Sequence, residues 1–261
     1  MKAGMRWIRA ALVLACLVSA VAPQLRAEEI TIAAAADLSF ALTGLAHSFT
    51  AQTGADVKLS FGSSGNLYSQ IQNGAPFDLF FSADSEYPKR LAGTGQIDPS
   101  SLRTYAVGHL VLWVPKSLGL DPQKLKMDLL TRPEVKRIAI ANPQHAPYGR
   151  AAMAALEHFG LKDEVAPKLV TGENISQAAQ FVQSGNAQAG LIALSLALSP
   201  AMKDAGKYWE LPADSYPELQ QVVGIVANSK HKPAAQAFVN YVTSPEARGI
   251  LQQYGFGTPQ P

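Results

Sequence analysis

The sequence predicts an α/β protein of two lobes, each a mostly parallel sheet flanked by helices, and three observations carry that expectation. Short apolar runs alternate with amphipathic runs at helical spacing, the pattern of strands regularly separated by helices. Two long extended runs, "AVGHLVLWVPKS" (106–117) and "LQQVVGIVANS" (219–229), stand at corresponding places and predict two crossover strands that act as a hinge between compact halves. Several strands also end in small or polar residues directly before a helix. Such turns gather at the carboxyl edge of an open sheet, where ligands bind.

Taken in order, the chain opens on a segment that is not part of this fold. Lys2, Arg6 and Arg9 precede an apolar run from Ala10 to Ala22, and the small residue Ala27 precedes Glu28 and Glu29. This is the pattern of a secretory signal peptide over residues 1–27, too short and wrongly flanked for a membrane span. Cys16 in "VLAC" resembles a lipoprotein cleavage box, which Leu14 and the short run before it fit badly. Cleavage after Ala27 changes the formal charge from +2 to −2, so the basic balance of the precursor argues for no nucleic-acid surface. It also removes the only cysteine, and with it any disulfide or thiol nucleophile. The expected product is an exported protein without a membrane-spanning stretch.

"EITIAAA" reads as the first strand, and Leu42, Leu45, Ala46 and Phe49 give the following helix one apolar face. "ADVKLSF" is a second strand, 66–73 a helix and "FDLFFSA" a third strand. "HLVLWVP" and "RIAIANP" are strands, 148–158 a helix, "KLVTG" a strand and 175–183 a helix. "QAGLIAL" and "QQVVGIVAN" complete the strands. Helices follow over 233–242 and 245–253, the second with Ser244 as N-cap, Pro245 at its first position and Gly255 beyond its end. The expected domains are lobe I at 28–108, lobe II at 109–226, and a return to lobe I at 227–261.

The chemistry is marked by what is missing. The five histidines are scattered without ligand spacing, "GSSG" is not a hydrolase nucleophile turn, and "GNAQAGL" lacks the lysine of a phosphate loop. What recurs is the donor-rich turn, in "AAAADLSF", "FGSSGNL", "ANPQHAPYGR" and "VTGENISQ". Each has a structural reading as an ordinary helix cap, with Asp37, Ser64 and Asn174 as cap residues, His145 as a turn residue and Arg150 inside its helix. Gly62 and Gly65 around the serine pair suggest backbone conformations that other residues avoid. Together the four turns predict N–H and hydroxyl donors converging on a small, fully ionised anion, with no fixed cation. Neither a cofactor nor a metal-cation site is expected.

These residues also carry a resemblance. "EITIAAAADLSFAL", "FGSSGNLYSQIQNGAPFDLFFSAD", "NPQHAPYG" and the terminal "YGF" resemble the periplasmic molybdate-binding proteins, the soluble components of ABC importers, and the likeness covers residues 29–257. It implies the two-lobed type II periplasmic-binding-protein fold, a molybdate or tungstate ligand, a membrane permease as partner, a monomer and no enzymatic activity. The family's ligand positions fall on Asp37 and Ser64, with Ser63 beside it, and on the backbone N–H groups of Tyr148 and Ile175. Ser39 is a further hydroxyl candidate. Many members have serine at the position of Asp37, so its carboxylate is expected to turn away, capping the helix and staying ionised. Affinity should then be nearly constant between pH 6 and 8; the alternative is an Asp37 that points inward, is protonated in the complex and donates to the anion, with binding that strengthens as pH falls. Some members carry a tyrosine where this chain has Ala193. A receptor for another oxyanion, phosphate or sulfate, is the alternative; an exported enzyme is a more distant one.

Overall fold

A computed structural model describes residues 28–259. The expected signal peptide, its expected cleavage point and Cys16 lie outside the described residues. The chain builds two five-stranded sheets. In the first lobe β1 (Glu29–Ala35) lies between β2 (Asp56–Gly62) and β3 (Leu79–Ser82), parallel to both. Here β10 (Leu219–Ile225) joins antiparallel to β3, and β4 (Arg103–Gly108) closes the edge antiparallel to β10. In the second lobe β6 (Ile138–Ala141) lies parallel between β7 (Leu169–Gly172) and β8 (Ala189–Ala193). The antiparallel strands there are β5 (Leu110–Pro115) and β9 (Gly206–Glu210). Each sheet therefore has as many antiparallel as parallel pairings, less parallel than the sequence pattern implies.

Helices cover both faces. In the first lobe α1 (Ser39–Thr53) buries Leu42, Leu45, Ala46 and Phe49 as their spacing predicts. It shares one core with α9 (Lys232–Val242) and α10 (Pro245–Gln253), through Phe49, Phe81 and Phe238. On the other face α2 (Ser64–Gln72) and α3 (Glu86–Gly93) bury Leu67, Tyr68, Tyr87 and Leu91 around Phe80. The second lobe packs α5 (Pro147–His158) and α7 (Ile175–Gln183) on its sheet; the short helices α4 (Pro122–Leu125), α6 (Lys162–Val165) and α8 (Leu194–Ala197) fill its connections. No helix among the described residues is long and apolar enough to cross a membrane.

The lobes connect twice, and the second connection differs from the expectation. The first passes through His109, which separates β4 from β5. The second runs from β9 to β10, and β10 pairs wholly within the first sheet. Residues 219–226 thus belong with lobe I, not with lobe II, and neither long extended run is a single strand spanning both lobes.

Candidate functional site

Residues at the ends of β1, β2 and β3 in lobe I come together with the first residues of α2, and with those of α5 and α7 from lobe II. A cleft there is lined by Asp37, Ser63, Ser64, Tyr148 and Ile175, together with small residues such as Ala36 and Ala83. Five of the six anticipated positions therefore share one cleft. Ser39 is not among its lining residues: it opens α1, with its hydroxyl buried and unpartnered. No lysine or arginine lines the cleft, and no group of three metal-ligating side chains occurs among the described residues. A larger cavity, about 470 Å³, lies by the amino ends of β1 and β3. Its buried Asp78 is already satisfied by the Thr31 N–H at 2.8 Å and the Ser229 hydroxyl at 2.6 Å.

The two serines divide their work in a way the sequence did not predict. Ser63, not Ser64, is the N-cap of α2, accepting from the Asn66 N–H at 3.3 Å. Ser64 is the first helical residue and is fully buried. Its hydroxyl oxygen accepts from the Ala83 N–H at 3.0 Å, which leaves the hydroxyl proton to donate elsewhere. Tyr148 and Ile175 are the second and first residues of α5 and α7, positions whose N–H groups have no partner inside the helix. Asn174 caps α7 through the Gln177 N–H at 3.0 Å, as expected. Gly62 and Gly65 have ordinary negative φ; what Gly65 supplies is close approach, because its N–H meets the His145 carbonyl of the other lobe at 2.8 Å.

Asp37 departs furthest from expectation. It sits in the 3-10 turn Ala36–Leu38, only 1% exposed, and caps no helix. Its side chain reaches the neighbourhood of Tyr148 and Gln221, close enough for both to lower its pKa, yet no partner stands at good hydrogen-bond geometry for either oxygen. The Tyr148 hydroxyl and the Gln221 side-chain nitrogen are likewise buried and unpartnered. Burial pushes the Asp37 carboxyl from 3.8 up to about 7, against the lowering by Tyr148, its own N–H, Gln221 and the Leu38 N–H. This differs from the expectation from sequence that Asp37 caps the helix and stays ionised.

Cross-lobe contacts surround the cleft, and sequence reasoning missed them. His145 is more than a turn residue: besides its carbonyl contact, Nδ1 lies 2.8 Å from the Ser63 hydroxyl. Ser195 donates to the Asp37 carbonyl at 2.7 Å. Arg150 pairs with Asp84 and donates to the Tyr87 hydroxyl at 3.3 Å. Ser63, His145 and Glu173 have the residue types of a hydrolase triad. However, Glu173 stands 3.6 Å from His145 Nε2, beyond hydrogen-bond reach, and the Ser63 oxygen is engaged as a cap. Their arrangement joins the lobes; it does not present an activated nucleophile.

Comparison with known proteins agrees with this geometry. The profile of the bacterial extracellular solute-binding protein family matches residues 30–257. The chain is 41% identical to the molybdate-binding protein ModA of Azotobacter vinelandii, over 89% of this chain and 91% of that one. It is 37% identical to the molybdate-binding protein ModA of Rhodobacter capsulatus, over 96% and 97%. Among solved structures, the periplasmic molybdate-binding protein of Azotobacter vinelandii superposes with a TM-score of 0.83 at 36% identity, covering 88% of this chain and all of that one.

Proposed function

Because the chain belongs to the bacterial extracellular solute-binding protein family, and within it to the molybdate-binding proteins, we infer that it captures molybdate, and with it tungstate, between its lobes. On this reading it then delivers the anion to the permease of an ABC importer. The observation that carries the anion class is the cleft itself: hydroxyls and helix-start N–H groups from both lobes, and no cation in its lining. Such a site suits a small anion without protons of its own, enclosed by hinge closure of the lobes. Solute-binding relatives and the lack of a catalytic arrangement around Ser63 favour a receptor over an enzyme.

Calorimetric titration with molybdate, tungstate, sulfate and phosphate at one pH tests the reading. Molybdate and tungstate are expected to bind tightly, and sulfate and phosphate at least tenfold more weakly, because a smaller anion leaves donors unpaired. Hydrogen phosphate is the second reading, favoured by Asp37, whose carboxylate could accept its proton; preference for phosphate would put that reading first.

Ser64 is expected to be a ligand through the proton its hydroxyl keeps free. Ser64→Ala should weaken molybdate binding roughly tenfold or more, since a hydrogen bond to a charged partner contributes about 1.5–3 kcal/mol. Unchanged affinity, measured by the same titration, would reduce its role to holding the Ala83 N–H.

A further inference from the structure

Arg150 is not among the residues that line the cleft, yet its side chain joins the two lobes beside it. It lies in the first turns of α5, in lobe II, and is about a third exposed (35%). Its guanidinium meets the Asp84 carboxylate and the Tyr87 hydroxyl, and its charge stands 5.3 Å from the centre of the Tyr87 ring. All three contacts are with lobe I.

The lobe I side is built to receive it. Asp84 Oδ1 accepts from the Tyr87 N–H at 3.1 Å and from the Ser82 hydroxyl at 3.1 Å, which leaves Oδ2 for Arg150. Tyr87 is itself fixed by packing against Tyr68, with ring centres 5.2 Å apart, and Arg90 lies over the Tyr68 ring at 4.6 Å. The carboxylate is only 13% exposed, and burial raises its pKa even with Arg150 beside it. A carboxylate oriented by its own lobe, with one oxygen left for a cation of the other, matches the planar fork of a guanidinium. Parting the lobes would break this pair together with the Gly65–His145, Ser63–His145 and Ser195–Asp37 contacts.

We propose that Arg150 is a positioning residue of the receptor, a clasp that pairs with Asp84 and Tyr87 across the cleft and sets how long a captured oxyanion stays enclosed. The proposal rests on the reading of the cleft as an oxyanion site. Loss of the clasp should act on release more than on capture, because the pair forms only once the lobes meet.

Stopped-flow release of molybdate from the native protein and from Arg150→Met, Asp84→Asn and the double variant tests it. Methionine keeps most of the apolar stem. Each single variant is expected to release molybdate about tenfold faster with association changed less than threefold, and the double variant no faster than either single one. Release at the native rate in both single variants, or additive effects in the double variant, would overturn the clasp. A second measurement does not depend on the anion's identity. The chain after Ala27 has no cysteine, so spin labels at Gln72→Cys and Glu157→Cys, exposed positions on the two lobes, report interlobe distance alone. Without added anion the native protein should show a short-distance population with the lobes together, which Arg150→Met should deplete, and a short-distance population of native size in Arg150→Met would overturn the proposal. Absence of any molybdate signal in the native protein counts against the functional reading, while the distance measurement still decides the clasp.

Discussion

Gly65→Val is expected to lower affinity for molybdate by about a hundredfold while leaving the ligand-free protein as stable as the native one. A Cβ at Gly65 would stand 2.6 Å from the His145 carbonyl oxygen and 2.7 Å from the His145 Cβ. The obstacle is backbone of the opposite lobe, which cannot move aside as a side-chain end could. The third close atom, the Tyr87 hydroxyl at 2.6 Å, is the far end of a side chain of the same lobe. Overpacking of this kind costs about 1–3 kcal/mol or more, and valine adds further methyl groups where the Gly65 N–H bonds the His145 carbonyl. Within its own helix, by contrast, replacing glycine removes backbone freedom from the unfolded chain and favours folding by several tenths of a kcal/mol. Affinity and thermal stability should therefore move independently, with Gly65→Ala intermediate in affinity. Native affinity in Gly65→Val, read by calorimetry, would mean that the lobes do not close to this distance around the anion.

The contrast between what was legible and what was not follows the reach of each signal. Helices α7 and α10 begin where their caps, Asn174 and Ser244, predict, because a cap is a local contact spanning three residues. The edge strand β9 is not legible, since "GKYWE" carries Lys207 and Glu210 and is half exposed, with no apolar alternation. α3 was missed because Pro88 falls inside it, tolerable only in a first turn. The position of β10 is not legible for a different reason: an apolar run does not state which sheet it joins. In the cleft, the donor-rich turns were readable as a class, and Ser63, Ser64, Tyr148 and Ile175 lie where their turns suggest. His145, Arg150 and Ser195 were not readable as site residues. Their partners are 82, 66 and 158 residues away in sequence, and nothing local distinguishes a histidine in a turn from one that bridges two lobes.

Affinity for molybdate is expected to fall on the order of 30- to 100-fold between pH 6 and pH 9, and Asp37→Asn to remove that dependence. This reverses the near-constant affinity expected from sequence. The buried carboxyl, with Tyr148, Tyr105 and Gln221 around it and no cation lowering its pKa, titrates at about 7. A dianion a few ångströms away repels its charged form by about 1–4 kcal/mol per charge pair, so enclosure raises the pKa further. Below pH 7 the carboxyl is already neutral and binding takes up no proton. Above pH 7 capture must protonate it, and affinity falls by up to tenfold per pH unit until the pKa of the complex is passed. Titrations at pH 8 in buffers of differing ionisation enthalpy should count close to one proton taken up by the native protein and none by Asp37→Asn. The same sign governs the ligand-free fold. A carboxyl whose pKa is higher folded than unfolded contributes stability fully below its ordinary value of 3.8 and loses it as pH rises through about 7. The thermal midpoint of the native protein should drop from pH 5 to pH 8 more than that of Asp37→Asn. A proton count of zero at pH 8, with native affinity flat across this range, would show that Asp37 stays ionised in the loaded receptor and that its charge lies too far from the anion to matter.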